Sequence, residues 1–256
     1  MDEKNSRNVA LAVVAHPDDI EFLCAGTLAL LRKRGWTIEM ATMTAGDCGT
    51  RELSPEKISS IRKAEAEKSA DMLDAGYHCL EMRDGFVMYD EDSLREVVKL
   101  VRRVRPALVF AMSPSCYMVD HEMSSKLVQT AVFTAGMKNI ATGNVPPFFH
   151  VPHLYYMDPM EGKNKFGQAI EPGIVVDISS VIGTKEAMLK CHDSQRQWLL
   201  DHHGMDQYTE NMKQLSAERG SLADVDFGEG FRQHLGHGYP QDDLLISELG
   251  DQVHLV

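Results

Sequence analysis

Residues 10–19 read Ala-Leu-Ala-Val-Val-Ala-His-Pro-Asp-Asp, an apolar run that ends abruptly in one imidazole and two adjacent carboxylates. Imidazole nitrogen and carboxylate oxygen are both good ligands for a divalent cation such as zinc. A carboxylate left over beside such a cation can accept a proton from water. Neighbouring Asp18 and Asp19 cannot aim at one point in the same way, so the pair suits one ligand and one base, and spacing alone does not say which is which. Pro17 has no N–H and stiffens the turn that presents these groups. A second cluster, Tyr117-Met118-Val119-Asp120-His121-Glu122, offers another imidazole. A catalytic zinc typically takes three protein ligands and keeps one open position, and His16, His121 and one of the two aspartates would make up that set.

These clusters need elements that bring them together. The run before His16 has the continuous hydrophobicity of a parallel strand buried on both faces. Gly26 to Gly35 reads as a helix with a basic last turn and a glycine stop. Thr37 to Thr44 alternates like a second strand and ends in the glycine-punctuated loop Thr44-Ala45-Gly46-Asp47-Cys48-Gly49. Ser54-Pro55-Glu56-Lys57 opens a helix through about Asp74, with a serine cap and proline in the first turn. Tyr77 to Met82 is a third strand, Ser93 to Arg105 an amphipathic helix, and Ala107 to Met112 a fourth, strongly apolar strand followed by a helix near His121 to Gly136. This alternation predicts an α/β fold, a single Rossmann-like domain with a mainly parallel sheet flanked by helices, over residues 1–256. In such sheets ligands gather beyond the carboxyl ends of the strands, which is where both clusters fall. His153 to Met157 and Gly173 to Ile178 read as further strands. The remainder reads as mostly helical and polar, with a loop-rich end after Gly228.

Composition narrows the function classes. With 38 acidic and 26 basic residues the formal net charge is −12, so the basic footprint expected of a nucleic-acid or anionic-membrane binder is missing. The five cysteines are odd in number and scattered, which argues against a disulfide framework or a zinc ribbon. No apolar run reaches transmembrane length, and the polar start of the chain is unlike a secretory signal, so a cytoplasmic location is expected.

Ala15-His16-Pro17-Asp18-Asp19 resembles the opening motif of the LmbE-like, or PIG-L, family of zinc-dependent N-acetylglucosaminyl de-N-acetylases. The likeness continues in order along the chain. Thr44 to Gly49 is similar to the family's second, glycine-bearing loop, and Arg62-Lys63-Ala64-Glu65 to its arginine and glutamate helix. Asp84 stands where the family has an acidic residue after the third strand. Asp120-His121 resembles the end of its second metal motif, and His192-Asp193-Ser194-Gln195 its late helix. The resemblance implies that His16, Asp19 and His121 hold Zn2+ or another divalent metal, that Asp18 is the general base toward a metal-bound water, and that Arg62 and Asp84 contact substrate. The implied reaction is hydrolysis of an N-acetyl or other N-acyl group on an amino sugar or sugar conjugate. The alternatives are an amidohydrolase acting on a non-sugar amide, and a metal-containing carbohydrate-binding protein with little turnover. The oligomeric state, a homo-oligomer included, is left open.

One departure bears on the chemistry. The family's second motif usually begins with a histidine three residues before the ligand histidine, and here that position is Met118. A thioether cannot donate a proton, so the stabilisation of the oxyanion or protonation of the leaving amine that the resemblance assigns to that histidine falls to another group. His234 and His237, in the glycine-bearing stretch Arg232 to Tyr239, are candidates, as is Tyr117. Arg62 and Glu65, three apart on a helix, also have the spacing of an ordinary ion pair. His192 is expected in a packing or capping role, and Cys48 and Cys116 are read as small hydrophobes.

Overall fold

A computed structural model of the chain describes residues 8–196 and 207–256. Eight strands form one mixed sheet in the order β3-β2-β1-β4-β5-β7-β6-β8. Its first half is β1 (Val9–Val14), β2 (Thr37–Thr44), β3 (Gly76–Met82), β4 (Leu108–Ala111) and β5 (His153–Met157). These five pair in parallel throughout. The expected α/β alternation holds: α1 (Asp19–Leu23) and α2 (Ala25–Lys33) follow β1, α3 (Pro55–Asp71) follows β2, α4 (Glu91–Val104) follows β3, and α5 (Val119–Thr134) follows β4.

Every residue of β1 from Ala10 to Val14 is fully buried, because the strand is covered on both faces. Ala10, Ala12 and Val14 point into a core shared with α2 and with Leu245 and Leu249. Leu11 and Val13 point into the opposite core, under Val97, Val101, Leu127 and Val128 of α4 and α5. That alternation is the period-2 geometry of a strand between two helical layers. The chain runs outward from β1 through β2 to β3, then returns to β1's other side at β4. The carboxyl ends of β1 and β4 therefore lie next to each other where the strand order reverses, and a crevice opens there in sheets of this kind.

The second half of the sheet departs from expectation. The segment after Gly228 is not simply loop-rich: β7 (Gly228–Gln233) inserts between β5 and β6 (Ile174–Asp177), antiparallel to both, and β8 (Val253–Leu255) closes the edge. Gly-Glu-Gly-Phe-Arg-Gln has poor intrinsic strand propensity, and pairing on both sides holds it extended. Gly230 is required in that strand, because a Cβ there would overlap the buried Asp158 carboxylate. The later helices are α6 (Ile182–Leu189), α7 (Gln207–Ser221) and α8 (Leu244–Leu249). Glu229 on β7 accepts hydrogen bonds from the Gly26 and Thr27 amides at 2.9 and 2.7 Å, tying the sheet to the first turn of α2. Lys185 on α6 neutralises that carboxylate at 2.6 Å.

Candidate metal centre and active site

The chain leaves β1 at Val14, and three residues of the turn that follows carry functional groups. The His16 amide donates to Asp19 Oδ2 at 2.8 Å, which closes the turn onto the first residue of α1. Asp18 sits between them as the helix N-cap with φ 101°, in the left-handed region that side-chain-bearing residues rarely adopt. From the end of β4, α5 begins at Val119 and brings His121 to the same point within its first turn. His121 Nε2 lies 3.5 Å from Asp19 Oδ1, His16 Nδ1 lies 3.5 Å from Asp19 Oδ2, and the two imidazole centroids are 5.4 Å apart. His16, Asp19 and His121 thus converge, all three buried, with ligand atoms close enough to share one cation.

The donor set fits such an ion. His121 Nε2 is buried and has no hydrogen-bond partner, the mark of an atom that awaits one. Burial pushes His121 toward neutrality, but the Asp19 charge outweighs it and raises the imidazole above its ordinary pKa. Burial would likewise raise Asp19, yet His121 and His16 hold it down to about 2. Without a cation the carboxylates draw protons onto the imidazoles, and a divalent ion would take the place of those protons.

The outer faces of the two imidazoles are held by different groups. His16 Nε2 lies 3.1 Å from Asp84 Oδ1 and 3.4 Å from Asp120 Oδ2. Asp120 is itself fixed by the Gly85 amide at 2.6 Å. A carboxylate on the far nitrogen sets the tautomer and basicity of a metal-binding histidine. Asp84, expected at the substrate, lines the cavity, and its carboxylate also meets this imidazole. On the other side, Cys116 Sγ stands 3.2 Å from His121 Nδ1, so this buried thiol also meets the imidazole.

Asp18 lies beside the cluster. Its Oδ2 accepts a hydrogen bond from the Tyr208 hydroxyl at 2.7 Å and from Arg62 Nη2 at 3.3 Å. Burial pushes its pKa up, with Arg62 pulling the other way. A carboxylate raised toward neutrality is better matched to proton transfer than an ordinary surface one. Arg62 Nη2 also donates to the Pro17 carbonyl at 2.6 Å, clamping the turn. The glycine-bearing loop makes room for this guanidinium: a Cβ on Gly46, at φ 68°, or on Gly49 would overlap it. The alternative Arg62–Glu65 ion pair does not form, because Glu65 instead accepts from the Ser194 amide at 2.8 Å and its hydroxyl at 2.6 Å. His192 is fully buried, as its packing role predicts, with Nε2 3.2 Å from Glu21.

These groups open into a cavity of about 780 Å³ whose lining includes Met118 and Tyr117. Its far wall is a face of α7 carrying Tyr208, Asn211, Gln214 and Glu218, with Glu161 and Lys163 from the loop after β5. None of these six was singled out from sequence, since α7 follows β1 by almost 200 residues and carries no motif. His234 and His237 are not among the lining residues. His234 Nδ1 instead meets the Tyr156 hydroxyl at 3.0 Å, and its ring packs on Tyr239. His237 is exposed. Of the three candidates for the donor that Met118 cannot supply, Tyr117 alone lines the cavity.

The family model for PIG-L, GlcNAc-PI de-N-acetylase, matches residues 11–132, the stretch that runs from β1 through most of α5. A 4-oxalmesaconate hydratase of Pseudomonas putida is 26% identical over 194 residues, 73% of either chain. A diacetylchitobiose deacetylase of Thermococcus kodakarensis is 27% identical over 202 residues, 75% of this chain and 71% of that one. The solved structure of N,N'-diacetylchitobiose deacetylase from Pyrococcus horikoshii shares the fold with a TM-score of 0.78 at 24% identity, covering 95% of this chain and 92% of the other. Residues 11–132 carry the PIG-L, or LmbE-like, family domain.

Proposed function

We propose that the protein is a metal-dependent hydrolase that removes an N-acetyl group from an amino sugar or sugar conjugate. The observation that carries this reading is the convergence of His16, Asp19 and His121 on one point, with the His121 Nε2 atom unpartnered and a separate carboxylate, Asp18, alongside. His16 through Nδ1, His121 through Nε2 and the Asp19 carboxylate would hold the ion. Zinc, when bound, lowers the pKa of water and polarises an amide carbonyl. Asp18 accepts a proton from the attacking water and returns it to the nitrogen as the C–N bond breaks, since an amide anion is a poor leaving group. Tyr117 at the cavity rim is the remaining candidate for hydrogen bonding to the developing oxyanion, the role that Met118 cannot fill.

The relationship to a hydratase in Pseudomonas putida raises a second reading, addition of water to an unsaturated acid. Met118 favours it, because hydration has no leaving amine to protonate. The charge of the cavity favours the first. Among the described lining residues Asp18, Asp19, Asp84, Glu161 and Glu218 face Arg62 and Lys163, and counting a bound divalent ion the carboxylates are still in excess by one, which disfavours a polycarboxylate substrate relative to a neutral sugar. The carboxamides of Asn211 and Gln214 can both donate to and accept from sugar hydroxyls. Acetate release from a panel of N-acetylated glycosides, with the metal-loaded and chelator-stripped protein in parallel, tests the assignment. Metal-dependent acetate release is expected. Absence of acetate together with metal-dependent loss of absorbance from unsaturated dicarboxylic acids would replace deacetylation by hydration.

A further inference from the structure

Asp18 occupies an unusual position for a base. Its backbone is in the left-handed region at φ 101°, its side chain is mostly buried, and among the described residues both donors to its carboxylate fall on the same oxygen, Oδ2. The two donors are unequal. Arg62 reaches it at 3.3 Å while spending its shorter bond, 2.6 Å, on the Pro17 carbonyl. Tyr208 reaches it at 2.7 Å and has no other hydrogen-bond partner among the described residues. The Tyr208 ring is held independently of that hydroxyl: it packs edge-on against Phe22 of α1, with centroids 5.1 Å apart, and joins Leu189 and Met212 in a small apolar cluster. The tyrosine is 5% exposed, so its hydroxyl is presented to Asp18 from a fixed frame.

We propose that Tyr208 is a positioning residue for Asp18. Its hydroxyl occupies Oδ2 and orients the carboxylate so that Oδ1 is left as the proton-accepting oxygen. Because Tyr208 lies on the α7 face that also carries Asn211 and Gln214, this wall of the cavity is physically joined to Asp18. The inference rests on the reading of Asp18 as base in the proposed deacetylation.

Tyr208→Phe removes the hydroxyl and keeps the ring against Phe22. Crystal structures of the zinc-loaded wild type and this variant should show the Asp18 carboxylate turned from its wild-type position while His16, Asp19 and His121 superpose. Against an N-acetylated glycoside that the wild type hydrolyses, kcat should fall about tenfold, with KM within about twofold and zinc per chain unchanged. In an Asp18→Asn background the same substitution should add no further loss, the non-additivity of two groups acting through one interaction. An unmoved Asp18, a change confined to KM, or additive losses would overturn the assignment. If the wild type releases no acetate, the functional reading fails, and the position of Asp18 in the two crystal structures still decides the inference.

Discussion

Asp18 and Asp19 are chemically identical neighbours with opposite surroundings. Asp19 faces two imidazoles that hold its pKa down to about 2, suiting a permanently charged ligand, whereas burial raises Asp18. Asp18→Asn should therefore retain one zinc per chain and lose activity about a hundredfold or more, as measured by metal analysis alongside acetate release. Full turnover in that variant would remove the base assignment. The meeting of His16 and His121 was legible from sequence because each follows an apolar strand within a few residues, so strand-end logic placed them together. Tyr208 was not, since 190 residues separate it from the carboxylate it touches and only the packing of α7 brings them together. Cys116 is buried as expected, and its contact with His121 Nδ1 was out of reach of the sequence because it depends on how the turn before α5 folds back.

At the level of elements, the loop after β2 and helix α3 act as one unit. Gly46 adopts φ 68° and its missing Cβ is filled by the Arg62 guanidinium, which in turn grips the turn after β1. Gly46→Ala combines backbone strain with a clash and should cost about 1–3 kcal/mol in denaturant unfolding, with a fall in kcat as Arg62 shifts. A second tie joins α1 to the segment after α6 through Glu21 and His192. Burial opposes both charges, yet each partner stabilises the other, lowering Glu21 below its ordinary 4.5 and raising His192 above 6.5. The depressed carboxylate contributes stability above pH 4.5 that is lost as pH falls through its folded pKa. The elevated imidazole contributes below pH 6.5 and loses that contribution as pH rises through its own. The stability advantage of wild type over His192→Asn should therefore be largest between those limits and narrow on both sides, which urea unfolding across pH can measure. The glycine loop, α3 and its serine cap were readable from local turn and capping chemistry. β7 was not, because its glycines suit a strand only where Asp158 crowds against it and neighbours pair on either side.

Across the whole molecule, the place of the candidate site follows from where the strand order reverses. The first four parallel strands read from alternating apolar runs and helices, and placing β1 and β4 side by side is sufficient to bring a histidine from each strand end to one crevice. The antiparallel half of the sheet supports the far wall, and its contribution is tertiary: buried links such as Lys185 to Glu229 carry little signature in sequence. Among the described residues no helix is long and apolar enough to cross a membrane. The central claim is that one cation belongs to His16, Asp19 and His121. Anomalous diffraction at the zinc edge from crystals of the metal-loaded protein tests it most directly. The account predicts a single peak about 2.0–2.2 Å from His16 Nδ1, His121 Nε2 and an Asp19 carboxylate oxygen. A peak seated instead on the other nitrogen of His16, between Asp84 and Asp120, or no peak at all, would contradict it.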